Sequence, residues 1–215
     1  LGVNYEQNLN KTLQEIAEEY FLDANQLTKS VNAILFGKAA EFNLEHFPLP
    51  VLVAYLKSTH HDYAKWKLPV LNRHIEMLEG YSDLKREFSK FKSDLSKHII
   101  LEEKVIFPFI EDLNQLSYEF DPYQLEVILK ANDTELLFAG HGEDDDDMHE
   151  IRFITKNYRF KKSDSLGFKI IMTELKNLEK DLKIHAQIEE LILFKKARDL
   201  ENSLKLKLKQ TIKSN

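Results

Sequence analysis

Two stretches, His98-Ile99-Ile100-Leu101-Glu102 and His185-Ala186-Gln187-Ile188-Glu189, constrain this chain more than any other feature. Each sets a histidine and a glutamate four residues apart inside a segment whose apolar residues recur at three- and four-residue steps. The first seam runs Leu84, Phe88, Phe91, Leu95, His98, Glu102, Val105, Phe109. The second runs Phe168, Ile171, Leu175, Leu178, Leu182, His185, Glu189, Ile192. Such spacing predicts helices packed on other helices. On a helix, residues i and i+4 share a face, about 5–6 Å apart at Cβ. The histidine and glutamate thus interrupt a seam that should be buried, and a buried carboxylate is costly unless it is paired or bound to a metal. The surroundings repeat as well: Leu95, His98, Glu102-Glu103, Val105-Ile106, Phe107 match Leu182, His185, Glu189-Glu190, Ile192-Leu193, Phe194 at the same offsets. Two helix pairs of a pseudo-symmetric bundle would show such a repeat.

The rest of the chain supplies the other helices. With only 6 Gly and 5 Pro in 215 residues, long helices are favoured over strands and tight turns. Residues 1–46 read as a small helical domain. Its first helix is capped by Asn10 and carries Leu13, Ile16 and Tyr20; its second is capped by Asp23, carries Leu27, Val31, Ile34 and Leu35, and stops at Gly37. Residues 38–47 read as a linker, and residues 47–215 as one bundle domain. Pro48 and Pro50 open a long helix to Leu78, with Pro69 inside it and Gly80 as its stop. A second helix is predicted over 83–113, capped by Ser82. A short helix follows Asp121-Pro122, with a break at Gly140-His141-Gly142. A third long helix is predicted over 143–159, behind the acidic run Glu143 to Asp147. A fourth, capped by Ser163 or Asp164, is predicted to reach Leu200, with a frayed helical tail. The fold class is therefore all-α: an up-down-up-down four-helix bundle preceded by a small helical hairpin.

Composition narrows the chemistry. The chain has no cysteine, so any metal site in it must use histidine and carboxylate. A net charge of −6 gives no basic footprint for nucleic acid. No apolar run long enough to span a membrane and no signal-peptide pattern is visible, so a cytoplasmic location is expected.

The first and third long helices each bring a histidine near their seam. His61 is in register with Ala64, Leu68, Leu71 and Ile75, whereas His60 lies about 100° away. His149 stands beside Met148, one turn before Phe153. A bundle then collects His61, His98, Glu102, His149, His185 and Glu189 in one layer. Four imidazoles and two carboxylates suit two metal ions, with each glutamate able to bridge them. Nitrogen and oxygen donors without sulfur suit iron; zinc and manganese also fit by donor type. His60 reads as exposed or as a residue behind the ligands. His74 stands 13 residues after His61, about 20 Å along a helix, and its role stays open. Glu103 and Glu190 read either as partners of the ligands or as surface residues. A buried polar network without metal is the competing account of the same residues.

The arrangement resembles the hemerythrin-like His-His-Glu cation-binding domain, and more closely the repair-of-iron-centres proteins. The likeness is carried by Pro48-Leu49, His60-His61-Asp62, Leu68-Pro69, His98 to Glu103 with Phe107-Pro108, Met148-His149-Glu150, and His185 to Glu190 with Phe194. Lys11-Thr12-Leu13 and Leu22-Asp23 are similar to that family's first domain. The family carries adjacent cysteines there, which this sequence lacks, and its segment between the equivalents of His61 and His98 is longer. The resemblance implies a di-iron centre, with an oxo or hydroxo group between the ions. It implies a non-haem protein that repairs iron–sulfur clusters damaged by nitric oxide or oxidative stress, by iron donation and not by classical enzymatic turnover. Its partners would be iron–sulfur client proteins and small ligands, O2 or NO, with no nucleic acid or membrane and a homodimer left open. The alternative is a reversible O2- or NO-binding or sensing protein.

Overall fold

Three- and four-residue apolar spacing is met by helices throughout. The structure, a computed structural model, describes residues 11–19, 44–138 and 146–214. Every regular element among them is helical, and none is a strand. In chain order the α-helices are α1 (Leu13–Glu19), α2 (Leu49–Leu56), α3 (Asp62–Glu76), α4 (Ser82–Leu101), α5 (Phe107–Tyr118), α6 (Pro122–Ala131), α7 (Thr134–Leu137), α8 (His149–Ile154), α9 (Leu166–Ile188) and α10 (Lys195–Ser214). Three π-helical turns, Lys57–His61, Glu102–Ile106 and Glu189–Phe194, join α2 to α3, α4 to α5 and α9 to α10. In such a turn the backbone bonds span five residues in place of four, so one extra residue is accommodated.

The chain divides into two compact units. One comprises Lys57–Pro108 and Glu135–Glu190. Its core is built as the seams predict, from Ala64, Leu68, Leu71 and Ile75 of α3, Leu84, Phe88, Phe91, Leu95 and Ile99 of α4, and Ile171, Met172, Leu175 and Leu178 of α9. Met148 and Ile151 close it from α8. Each fully buried side chain of this kind contributes about 1.5–3 kcal/mol. Between α3 and α4 the chain reverses through a short turn in which Gly80 has φ 76°, a conformation that costs glycine nothing.

The other unit comprises Leu1–Leu56, Phe109–Thr134 and Leu191–Asn215. Its described core includes Leu49, Leu52 and Leu56, Ile110 and Leu113, Leu125, and Leu193, Phe194 and Ala197. The Asp121 carboxylate caps α6, accepting from the backbone N–H groups of Tyr123 (2.9 Å) and Gln124 (3.1 Å), with Pro122 in the first turn. Lys196 Nζ donates to the carbonyls of Glu45 (2.8 Å) and Phe47 (2.6 Å), fastening the 3-10 turn Leu44–His46.

Several boundaries differ from the sequence expectation. The predicted helix 143–159 is α8, only His149–Ile154. It ends in three consecutive left-handed residues, Lys156, Asn157 and Tyr158, with φ 51°, 58° and 59°. Such residues cost about 1–2 kcal/mol each. The run is held by the bond from Asn157 N–H to the Arg152 carbonyl (2.8 Å) and by burial of Tyr158. The predicted fourth helix begins as α9, capped by Ser165, whose hydroxyl accepts from Phe168 N–H, while Asp164 accepts from Lys161 N–H. The hairpin's second helix with Asp23, the Asn10 cap, residues 38–43, Gly140-His141-Gly142 and Glu143 to Asp145 lie outside the described residues.

Candidate metal centre

Where π-turns interrupt the three long helical runs, the ligand-type residues stand. His60 and His61 end the first turn, and Glu102 and Glu189 begin the other two. His61, Glu102, His185 and Glu189 are all buried, and one donor atom from each lies within 4.8 Å of the others. Two come from the expected His-x-x-x-Glu pair at 185 and 189. Glu102 comes from the pair at 98 and 102, and His61 from the helix whose phase selected it.

The geometry is that of nitrogen and oxygen atoms turned inward on one another. His61 Nε2 faces Glu102 Oε2 at 3.0 Å and His185 Nε2 at 3.0 Å. Glu102, fully buried, has its other oxygen, Oε1, 2.7 Å from His98 Nε2. Its carboxylate therefore lies between two imidazoles, one at each oxygen. Glu189 Oε1 is 3.6 Å from His185 Nε2. His98 itself is 34% exposed, because Ile99 takes the buried position of that turn.

Around these atoms stands a ring of supports. The Nδ1–H of His61 donates to Glu103 Oε1 at 3.0 Å, and Lys65 Nζ donates to the same oxygen at 2.6 Å. Phe107 stacks on the His61 ring at 5.4 Å with 15° between planes. A carboxylate behind an imidazole fixes which nitrogen is offered to a metal and raises its basicity. Glu103, of two readings in the sequence, is thus a partner of a site histidine, whereas Glu190 is half-buried.

The electrostatics are those of anions crowded into a small space. Burial raises the Glu102 carboxyl, but the hydrogen bonds from His61 and His98 outweigh it and hold the group well below its ordinary value. Burial pushes Glu189 the other way, well above its ordinary value, and the Glu102 charge and hydrogen bond add to that. Burial also pushes the His185 imidazole down to about 3, so it is neutral and offers a lone pair. Two carboxylates and two imidazoles converging in a buried volume fit a divalent cation: the cation would replace the shared proton and repay desolvation that costs several kcal/mol per ion. The donor set, nitrogen and oxygen only, is one that iron accepts.

The sequence that builds this geometry matches a known family. The Hemerythrin HHE cation binding domain matches residues 55–197. The chain belongs to the hemerythrin HHE family. The matched span holds every residue of the hemerythrin-type centre described above. A curated relative, the iron-sulfur cluster repair protein YtfE of Musicola paradisiaca (strain Ech703), is 25% identical over 183 residues, covering 71% of this chain and 82% of that protein.

Two expectations for this hemerythrin-type domain met a different placement. His149 is not brought to the group: its side chain is 63% exposed, with Nδ1 3.4 Å from Glu150 Oε1. The buried face of α8 is set by Met148 and Ile151, which turns the next residue, His149, outward. Phe153, taken in the sequence as a seam neighbour, is 76% exposed for the same reason. His74 is exposed on α3, apart from the centre. Conversely, His60, set about 100° off the seam by an ideal helix, is buried, and its Nδ1 lies 3.0 Å from Asp181 Oδ1. Asp181 was not singled out by sequence. Its one signal was position, one turn before His185 on the same face.

Proposed function

We propose that this chain is a non-haem di-iron protein serving the repair of iron–sulfur clusters damaged by nitric oxide or oxidative stress, through iron donation. The observation that carries the reading is Glu102. A fully buried carboxylate with a different imidazole at each oxygen is disposed to bridge two ions. His61, His185 and Glu189 would complete the ligand set within the centre, and His98 would add a nitrogen at its rim. The family supports a cation at this place, and the YtfE relative supports the repair role. When bound, iron would supply one-electron chemistry and exchangeable positions for small molecules.

The chain's own residues define the rest. Glu103 and Asp181 hold protons on Nδ1 of His61 and His60, which keeps those rings oriented without a rearrangement at each turn. Phe107 walls one face of His61 and excludes water from it. Of the five residues that would hold the metal, His98 is the partly exposed one, at 34%. The side of His98 is therefore where an ion or a small ligand would pass. Among the described residues no helix is long and apolar enough to cross a membrane.

That same burial favours a second reading, reversible binding or sensing of O2 or NO, since only a small molecule would reach ligands this enclosed. One experiment separates them. The iron-loaded chain is mixed anaerobically with a ferredoxin-type [4Fe–4S] protein degraded by nitric oxide. Repair predicts recovery of the cluster absorbance beyond that given by equimolar free iron, and none with Glu102→Ala. Recovery equal to free iron, with reversible O2 or NO uptake by the loaded chain, would favour binding. A chain that retains less than one iron would overturn both.

A further inference from the structure

We propose that the connection from α8 to α9 is the surface on which an acidic protein docks, an iron–sulfur client on the repair reading above. That reading supplies the client; the surface itself rests on charge, exposed apolar side chains and a fixed backbone. From Phe153 to Ile170 the chain carries five cations, Lys156, Arg159, Lys161, Lys162 and Lys169, against one carboxylate, Asp164, although its net charge is −6. Lys156, Arg159, Lys161 and Lys162 are exposed, and among the described residues none of the four has an ion-pair partner. Asp164 is occupied in accepting from Lys161 N–H at 2.6 Å. Large apolar side chains stand out among these cations: Phe153 is 76% exposed, Phe160 48% and Leu166 73%. Aromatic side chains and arginine are the types enriched where proteins meet.

The backbone holds this segment in place. The left-handed run Lys156, Asn157, Tyr158 is a conformation that persists only where the surroundings enforce it, and such strain concentrates at functional surfaces. Here Tyr158 is buried, its N–H donates to Thr155 Oγ1 at 3.2 Å, and Arg159 N–H donates to the Thr155 carbonyl at 3.1 Å. The turn thus anchors Tyr158 in the core and leaves Lys156 and Arg159 outside. A segment fixed beforehand loses little conformational freedom when a partner arrives. The charge pattern also selects the class of partner. Past the other end of α8, a helix of six residues and about 9 Å, lie Asp146 and Asp147, and Glu150 is exposed in its first turn. A compact acidic patch on a protein meets the cations alone. A bilayer or a nucleic-acid backbone is an extended anion and meets those carboxylates as well. An iron–sulfur client suits the sign, because the thiolates that hold its cluster add negative charge.

The test is a binding titration of the full iron-loaded chain with an acidic ferredoxin-type [4Fe–4S] protein degraded by nitric oxide, at low and at moderate salt. Wild type should bind, and more weakly as salt rises. Lys161→Glu with Lys162→Glu should weaken binding by at least about tenfold and flatten its salt dependence. Phe153→Ser with Phe160→Ser should weaken it by about tenfold and keep the salt dependence. Lys209→Glu with Lys213→Glu, the same change of net charge placed on exposed positions of α10, should leave binding unaltered. No binding by wild type, undiminished binding by the Lys161, Lys162 pair, or an equal loss in the α10 pair overturns the surface. Tighter binding to phosphatidylglycerol vesicles than to the ferredoxin, lost in the Lys161, Lys162 pair, overturns the protein partner. The substituted side chains are all exposed, and circular dichroism checks that each variant folds; should one of the two α8–α9 pairs fail, the other decides equally. Cluster recovery is read on the same samples. Docking as expected with no recovery overturns the repair reading and leaves the surface, whereas recovery without docking overturns the surface and leaves repair.

Discussion

Glu189→Gln should stabilise the metal-free chain at neutral pH while abolishing its metal affinity. Glutamine matches the protonated glutamate in shape, so the variant keeps the packing and removes only the ionisation. In the folded chain Glu189 is raised well above 4.5, by burial and by Glu102, and stays protonated where the unfolded chain has ionised. Above 4.5 the folded state therefore holds the extra proton, and stability falls as pH rises, by about 1.4 kcal/mol per pH unit, until the folded group itself ionises. From 4.5 to 7 the ceiling on that loss is about 3 kcal/mol. His185 works in the opposite sense. Its folded value is pushed down to about 3 from 6.5, so over that range the unfolded state binds the extra proton and stability rises with pH. Between about 4.5 and 6.5 the two slopes cancel in wild type. Urea denaturation in the presence of a chelator should accordingly give a nearly flat wild-type profile in that range and a rising one for Glu189→Gln. At pH 7 the variant should be more stable by up to about 3 kcal/mol, or about 6–12 °C in Tm for a chain of this size. A variant no more stable than wild type at pH 7, or a difference that does not grow with pH, would refute the account of two crowded carboxylates.

With Fe2+ present at about a thousandfold over Kd, wild type should gain about 4.1 kcal/mol and overtake Glu189→Gln, and chelation should reverse this in a thermal scan. Metal uptake should release protons, because Glu189 gives up its proton to the ion, and titration in buffers of different ionisation enthalpy would count them. Glu103→Gln should lower metal affinity by about 10–100-fold with stoichiometry unchanged in direct binding, since it touches His61 and not the ion. Arg152→Ala should cost about 2 kcal/mol in urea denaturation: its guanidinium pairs with both Asp146 and the buried Glu179, and Lys183 remains to cover only part of that loss.

Much of the centre was legible because its chemistry rides on ideal helical spacing. His185 and Glu189 share a face by the i,i+4 rule, and Glu102 is buried where the α4 seam points. His61 was picked out by phase with Leu68, Leu71 and Ile75, all of which are buried. What phase could not show is where the period changes. His60 was set aside because 3.6 residues per turn rotates it off the seam, and the π-turn at 57–61 cancels that rotation. His149 is placed outward in the converse way. Its neighbour Met148 takes the buried position, and a six-residue helix ending in three left-handed residues has no long seam from which to read a phase. Asp181 was hidden by its own ordinariness, as one carboxylate among many on a charged helix; only a partner 121 positions away in the chain marks it.

The three π-turns make the chain a set of counted registers. Each turn at the centre holds one residue more than the α-helix needs. Deleting one residue there, Ser58 for example, would leave no broken loop and no missing ligand. It would return the turn to α-helix and rotate everything on one side by about 100° against the other. His60 and His61 could then no longer both face inward. At these three places, a length change that would pass unnoticed in a surface loop acts as a twist, and composition alone would give no sign that the ligands had parted.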